Sequence, residues 1–225
     1  MSIATQIDVF KKLNIAPSAH SDAEFDQMAN AFGYLPRLQQ YTDASAQVKK
    51  KELQAGFYVV TGKDDKVFLG EDVDVIPLAW RFKALETLPG VKPRSSTNPK
   101  SELFREIQAQ SGKQNSHCQA GIEYLLWVPA AGKYATYLMG SKTAVKEASK
   151  LKPLIGCVAT IKTFTYENDQ FVWQGPKVLE ASVPPASLPP EEGLQDEIDR
   201  FKAAQEEAGD GPQEKIEEAP TKRKR

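Results

Sequence analysis

The chain has 225 residues, of which 40% are hydrophobic and 26% charged, and a formal net charge of −1. That composition supports a folded core, as one domain with tails or as two small domains, and argues against a uniformly basic nucleic-acid binder. No run approaches the ~20 apolar residues that a membrane-spanning helix needs.

The overall balance hides charges of opposite sign segregated along the chain. Residues 92–163 hold eleven Lys and Arg against four acids, a net of +7, whereas residues 191–220 hold eleven acids against three bases, a net of −8. The last four residues, Lys222–Arg225, are basic again. The two cysteines, Cys118 and Cys157, suit a reducing interior better than a disulfide framework. The opening residues lack the charged and apolar regions of a signal peptide, so a soluble, cytoplasmic protein is expected.

Residues 1–54 read as an N-terminal helical arm. Ser21 and Glu24 have capping-box spacing ahead of an apolar face of Phe25, Met28, Ala29 and Phe32, and Gly33 closes that helix. The polar stretch from Pro36 to Leu53, ending in Lys49-Lys50-Lys51, reads as a loop or helix end. A hairpin follows, with Gly56–Thr61 and Val67–Leu69 as its arms, and then a long strand from Glu71 to Lys83. From Ile76 the alternation sets Ile76, Leu78, Trp80 and Phe82 on one face and Ala79, Arg81 and Lys83 on the other.

Leu88–Lys100, rich in Pro and Ser, reads as a long mobile loop, and Ser101–Gln110 as a short helix. Strands are expected at Ile122–Val128 and Tyr134–Met139, a helix at Thr143–Leu151, and a further strand at Val158–Tyr166. Phe171–Trp173 and Lys177–Ala181 continue the β pattern, with Gly175-Pro176 as an edge or bulge between them. The core is therefore placed at residues 55–183, a Pro-rich connector at 184–190, an acidic amphipathic helix at 191–208 and a disordered tail at 209–225.

Catalytic signatures are missing. The chain has no phosphate-cradling Gly-rich loop, no dinucleotide fingerprint and no nucleophile elbow. His20 and His117 are the only histidines, and a zinc site would have to gather both with Cys118 and Cys157. Asp72 and Asp74 on one strand suit a solvent-facing edge better than a metal pair. No catalysis, metal or cofactor is expected.

Binding is better supported. Lys133, Lys142, Lys146, Lys150, Lys152 and Lys162 are interleaved with Tyr124, Trp127, Tyr134, Tyr137, Phe164 and Tyr166. Rings can stack on bases while cations follow phosphates, a combination that suits single-stranded nucleic acid. Lys142, Lys146 and Lys150 recur at helical spacing and would form one cationic stripe.

The runs Gly121–Val128 and Tyr134–Ala144, the strand after Lys152 and the acidic segment 191–218 together resemble the single-stranded DNA-binding proteins of tailed bacteriophages. That resemblance implies a mainly β chain with accessory helices, built as an OB-fold-like barrel with inserted loops and a charged C-terminal tail. It implies protection of single-stranded DNA during phage replication or recombination, in the host cytoplasm, and a tail that recruits replication proteins and competes with DNA. Unlike that family's acidic, aromatic-tipped end, this chain finishes on Lys-Arg-Lys-Arg. The phosphate contacts expected on this reading are Arg81, Lys83, Lys92, Arg94, Lys100, Lys133, Lys142, Lys146, Lys150 and Lys162. The stacking rings expected are Trp127, Tyr134 and Tyr137. The alternatives are a virion structural or assembly protein and an enzyme with dispersed catalytic residues.

Overall fold

A computed structural model describes residues 35–43, 45–62, 65–88, 93–113, 116–181 and 184–207. The helix expected at 21–33, Lys92 and the tail at 209–225 lie outside the described residues. The chain is mainly β. In order come β1 (Arg37–Gln40), α1 (Ala46–Lys49), β2 (Tyr58–Thr61), β3 (Lys66–Gly70), β4 (Asp72–Glu86), β5 (Arg94–Ser96) and α2 (Glu102–Gln110). They are followed by β6 (Cys118–Val128), β7 (Lys133–Met139), α3 (Lys142–Leu151), β8 (Ala159–Glu167), β9 (Val172–Glu180) and α4 (Leu194–Glu207).

The nine strands among the described residues form one open sheet in the order β3-β2-β1-β7-β6-β4-β8-β9, with β5 beside the end of β4. Neighbours are antiparallel except β1 and β7, which run parallel and meet at Arg37 and Thr136. The 15-residue β4 is the shared member: Asp72–Val75 pair with β8, and Ile76–Glu86 pair with β6.

A bulge interrupts β4 between Pro77 and Ala79. One extra residue in a strand reverses the faces of all residues beyond it. Ile76, Leu78 and Ala79 consequently share one apolar cluster, while Trp80 packs against the other. The single alternating face expected from Ile76 to Phe82 is therefore broken at Leu78.

The first cluster side includes Val73, Val75, Tyr124, Leu126, Tyr137, Met139, Ala148, Leu151 and Ile161, and forms the interior of the curved sheet. On the opposite face, α4 lays Leu194, Ile198 and Phe201 over Ile76, Ala79, Leu125 and Trp127. The acidic helix thus packs on the sheet through its apolar stripe. Phe104 and Ile107 of α2 cover Ala84 and Cys118 near the far end of β4.

The helices start where short polar side chains satisfy free backbone N–H groups. Ser101 Oγ accepts from Phe104 N at 3.1 Å, and Ser141 Oγ accepts from Ala144 N at 3.1 Å. α3 turns Ala144, Glu147, Ala148 and Leu151 inward. Pro176 sits within a continuous β9, opposite Thr163; β9 is the last strand of the sheet, where a missing N–H is tolerated.

The expected closed barrel does not form, because both edges that would meet are already occupied. The outer side of β7 is taken by the β1 segment, where Thr136 N donates to Pro36 O at 2.8 Å. Along β9 lies α3, and Val178 N donates to the buried Glu147 carboxylate at 2.8 Å. β1 and β5 are strands in segments expected to be loops. Each is only three or four residues long and gains its order from the neighbouring strand. No helix among the described residues is long and apolar enough to cross a membrane.

Gly121 is required where β6 and β7 approach each other, since a methyl group there would overlap the backbone carbonyl of Met139. Overpacking of this kind costs about 1–3 kcal/mol. Gly121→Ala is expected to lower the urea midpoint accordingly, while Gly112→Ala, which would meet nothing within 4 Å, should cost less despite the positive φ of Gly112.

Candidate nucleic-acid interface

The expected stacking rings face the core. Trp127 is 6% exposed and its indole N–H donates to Ser187 O at 3.2 Å, which ties the Pro-rich segment across the sheet. Tyr134 packs edge-on to Trp127 at 5.1 Å, its hydroxyl is buried, and burial with Glu197 nearby pushes its pKa up to about 12. Tyr137 is 5% exposed and meets Tyr58 edge-on inside the curved sheet; burial raises its pKa too. Trp127 and Tyr137 present no open face to a base, and Tyr134 is half-buried against Trp127.

The expected cations divide into committed and exposed groups. Arg81 is buried: its Nε and Nη2 bind Glu123 Oε2 at 2.7 and 2.6 Å, its Nη1 donates to Phe201 O at 2.7 Å, and its guanidinium lies 4.2 Å from the Phe201 ring centre. Arg94 is held by Glu86 at 2.6 Å and Glu106 at 3.0 Å. Lys133 pairs with Asp65, Lys150 with Glu147 at 2.7 Å, and Lys162 with Asp72 at 3.2 Å. Lys100, Lys142 and Lys146 are exposed and have no ion pair to a described residue.

One group of rings that reach solvent lies on the β8–β9 hairpin, apart from the exposed Phe68 of β3 and Phe82 of β4. Lys162, Phe164 and Tyr166 of β8 share a face with their partners Lys177, Gly175 and Trp173 of β9. Phe164 and Tyr166 meet edge-on at 5.0 Å, and Tyr166 stacks on Trp173 at 5.8 Å with 16° between the planes. Phe164 is 41% exposed and Trp173 37%. Gly175 makes room for this row, since a methyl group there would press on the Tyr166 ring at 3.3 Å.

Two lysines stand directly opposite each other at the end of the ring row. Like charges paired across strands are destabilising, yet Lys162 and Lys177 face one another, with the Lys177 ammonium 4.3 Å from the Phe164 ring centre. Trp173 donates its indole N–H to Thr143 Oγ1 at 3.2 Å, so the first turn of α3, with exposed Lys142, sits beside the rings. Flat rings and cations are thus combined on one solvent-facing surface.

A second feature is a cleft of about 770 Å³ between β1 and β7, which separate beyond their contact at Arg37 and Thr136. Lys83 projects into it at 17% side-chain exposure, 3.6 Å from Glu123 Oε1. Burial, followed by repulsion from Arg81 and Arg37, lowers the Lys83 pKa below the usual lysine value against the opposing pull of Glu123. Among the described residues no cluster of His, Cys, Asp and Glu could hold a metal ion.

Comparison of the chain with known protein families, curated sequences and solved structures finds no match. The sequence reading missed Trp173 and Lys177 and left Phe164 and Tyr166 unassigned. A signal was present: Lys162, Phe164 and Tyr166 recur every second residue, and the aliphatic Ile161 alternates with them. Assigning the outward face needs the pairing of β8 with β9, and sequence alone does not supply it.

Glu123 is the buried partner of Arg81, so removing its charge leaves a guanidinium uncompensated. Breaking such a pair costs about 3–5 kcal/mol. Glu123→Gln is expected to shift the denaturation midpoint by several times the effect of Asp72→Asn, whose partner Lys162 is 47% exposed.

Proposed function

We propose that the chain binds single-stranded nucleic acid largely without regard to sequence, as a binding protein and not an enzyme. The observation that carries this reading is the solvent-facing row Phe164–Tyr166–Trp173, bounded by the opposed lysines Lys162 and Lys177. An anionic backbone running past that row would meet Lys177, with Lys162 shared between it and Asp72, while bases stack on the rings. Such stacking is worth roughly 1–3 kcal/mol per base and is tolerant of sequence.

The order of elements supports the same reading. We read the run β4-β6-β7, then α3, then the β8–β9 hairpin, with β4 shared between both parts, as an OB-like order left open along one seam. OB-folds take single strands on the face of their second and third strands and on the loops beside it. Here the corresponding face of β6 and β7 is partly covered by α4. The proposed contact surface therefore shifts to the β8–β9 hairpin and the start of α3, with Lys142 and Lys146 added to Lys162 and Lys177. Arg81, Trp127, Tyr134 and Tyr137 take structural roles on this reading.

The cellular setting proposed is DNA replication or recombination, in the host cytoplasm if the chain is phage-encoded, with replication proteins as further partners through the C-terminal segment. The rival reading as a virion structural protein is separated by titration with labelled oligothymidine at two salt concentrations. Salt-sensitive binding is expected, with a slope of roughly −2 in log affinity against log salt if three phosphates are neutralised. Trp173→Ala should weaken binding by about 5- to 150-fold, and Lys177→Gln should flatten the salt slope by roughly one phosphate's share. Absence of binding at low salt would overturn the proposal.

A further inference from the structure

The cleft between β1 and β7 holds charge and hydrogen-bonding capacity that the ring row does not use. Its floor is the outer face of the sheet beyond α4, where Lys83, Leu85, Gln119, Glu123 and Leu138 come together. Among the described lining residues Glu123 is the one carboxylate, against Arg37, Lys83 and Lys113. That carboxylate is already engaged, since both short bonds from Arg81 fall on Oε2 and Lys83 reaches Oε1 only at 3.6 Å. Arg81 and Lys83 thus share the buried Glu123 carboxylate, a local sum of +1 that a bound anion would neutralise. A half-buried charge is costly unless paired.

The opposite wall supplies a second unmet requirement. Gln174 lines the cleft, and its Oε1 is buried with no hydrogen-bond partner among the described residues. Gln39 and Gln119 add amides that both donate and accept. The volume of about 770 Å³ is much larger than a phosphate needs and falls within the ~300–1,000 Å³ of small-ligand sites. The wedge ends where Thr136 N binds Pro36 O at 2.8 Å, so a chain entering it meets backbone at the apex.

We propose that this cleft is a pocket for one nucleotide carrying a terminal phosphate monoester, with the phosphate at Lys83 and the base edge at the glutamine amides. The choice of a nucleotide as the ligand rests on the nucleic-acid reading above. The source is either a free nucleotide or the phosphorylated end of a strand, and both present the same chemistry to Lys83.

The test is titration of the full chain with dTMP, with thymidine as the phosphate-free control, followed by oligothymidine with and without a 5′-phosphate. dTMP should saturate a single site, and thymidine should bind at least tenfold more weakly, since a charge-assisted bond is worth about 1.5–3 kcal/mol. Lys83→Met should lose about tenfold or more in dTMP affinity, and exposed Lys113→Glu, which does not touch the core, should also weaken it. Lys66→Gln, an equal loss of charge at an exposed position outside the cleft, should leave dTMP binding unchanged. A 5′-phosphate that tightens oligothymidine binding assigns the pocket to strand ends; dTMP binding without that gain assigns it to free nucleotide. Failure of dTMP to bind, or equal affinity of wild type and both lysine variants, overturns the pocket. If oligothymidine still binds in that case, the ring row stands without it. If dTMP binds and oligothymidine does not, the pocket stands and the strand-binding reading falls.

Discussion

The bend in β4 is the constraint on which the other elements depend. One 15-residue strand must pair with β8 at its start and with β6 over the rest, and the bulge at Leu78 lets it serve both. The extra residue turns Ala79 and Arg81 toward the face that α4 covers, and turns Trp80 toward the interior. Arg81 can then bind Glu123 across the strand pair and reach the carbonyl of Phe201 in α4. A single backbone irregularity therefore fixes which side of the sheet holds the buried ion pair and where the last helix docks.

Docking of α4 divides the outer face into a covered part and an open part. Leu125, Trp127 and Ala79 are covered, while Lys83, Gln119 and Leu138 remain at the cleft. The acidic composition of the last segment sets its solvent side, and its apolar stripe sets its position. On the far side of the molecule, α3 lies along β9 and Glu147 takes the N–H of Val178, which shields part of that strand edge and places lysines beside the β8–β9 rings. The open surfaces are thus what remains after two helices have covered the sheet.

Much of the fold was legible locally. The strands around 122–128, 134–139 and 158–166, the helices beginning at Ser101 and Ser141, and the 56–69 hairpin follow from periodicity and capping, which act over a few residues. β1 and β5 were not legible, because Arg37–Gln40 and Arg94–Ser96 have no alternation of their own and become strands by pairing with distant partners. The barrel expectation failed for a similar reason. Closure depends on what occupies the edges of β7 and β9, and the occupants, β1 and Glu147, are remote in sequence from those edges.

For the candidate site, the sequence by itself determined the inventory: a basic middle, an acidic end, many rings among lysines, and no catalytic motif. These are properties of composition and spacing, and folding cannot change them. Only the tertiary structure decided which of those groups meet solvent. Trp127 and Tyr137 went inside because a curved sheet and α4 take apolar surface from both faces of β6 and β7, and large rings lose the most water-exposed area there. Phe164, Tyr166 and Trp173 keep part of their surface in solvent: α3 reaches the face they share on β8 and β9 at Thr143, beside Trp173 and Gly175, and cross-strand pairing gathers the rings with Lys162 and Lys177.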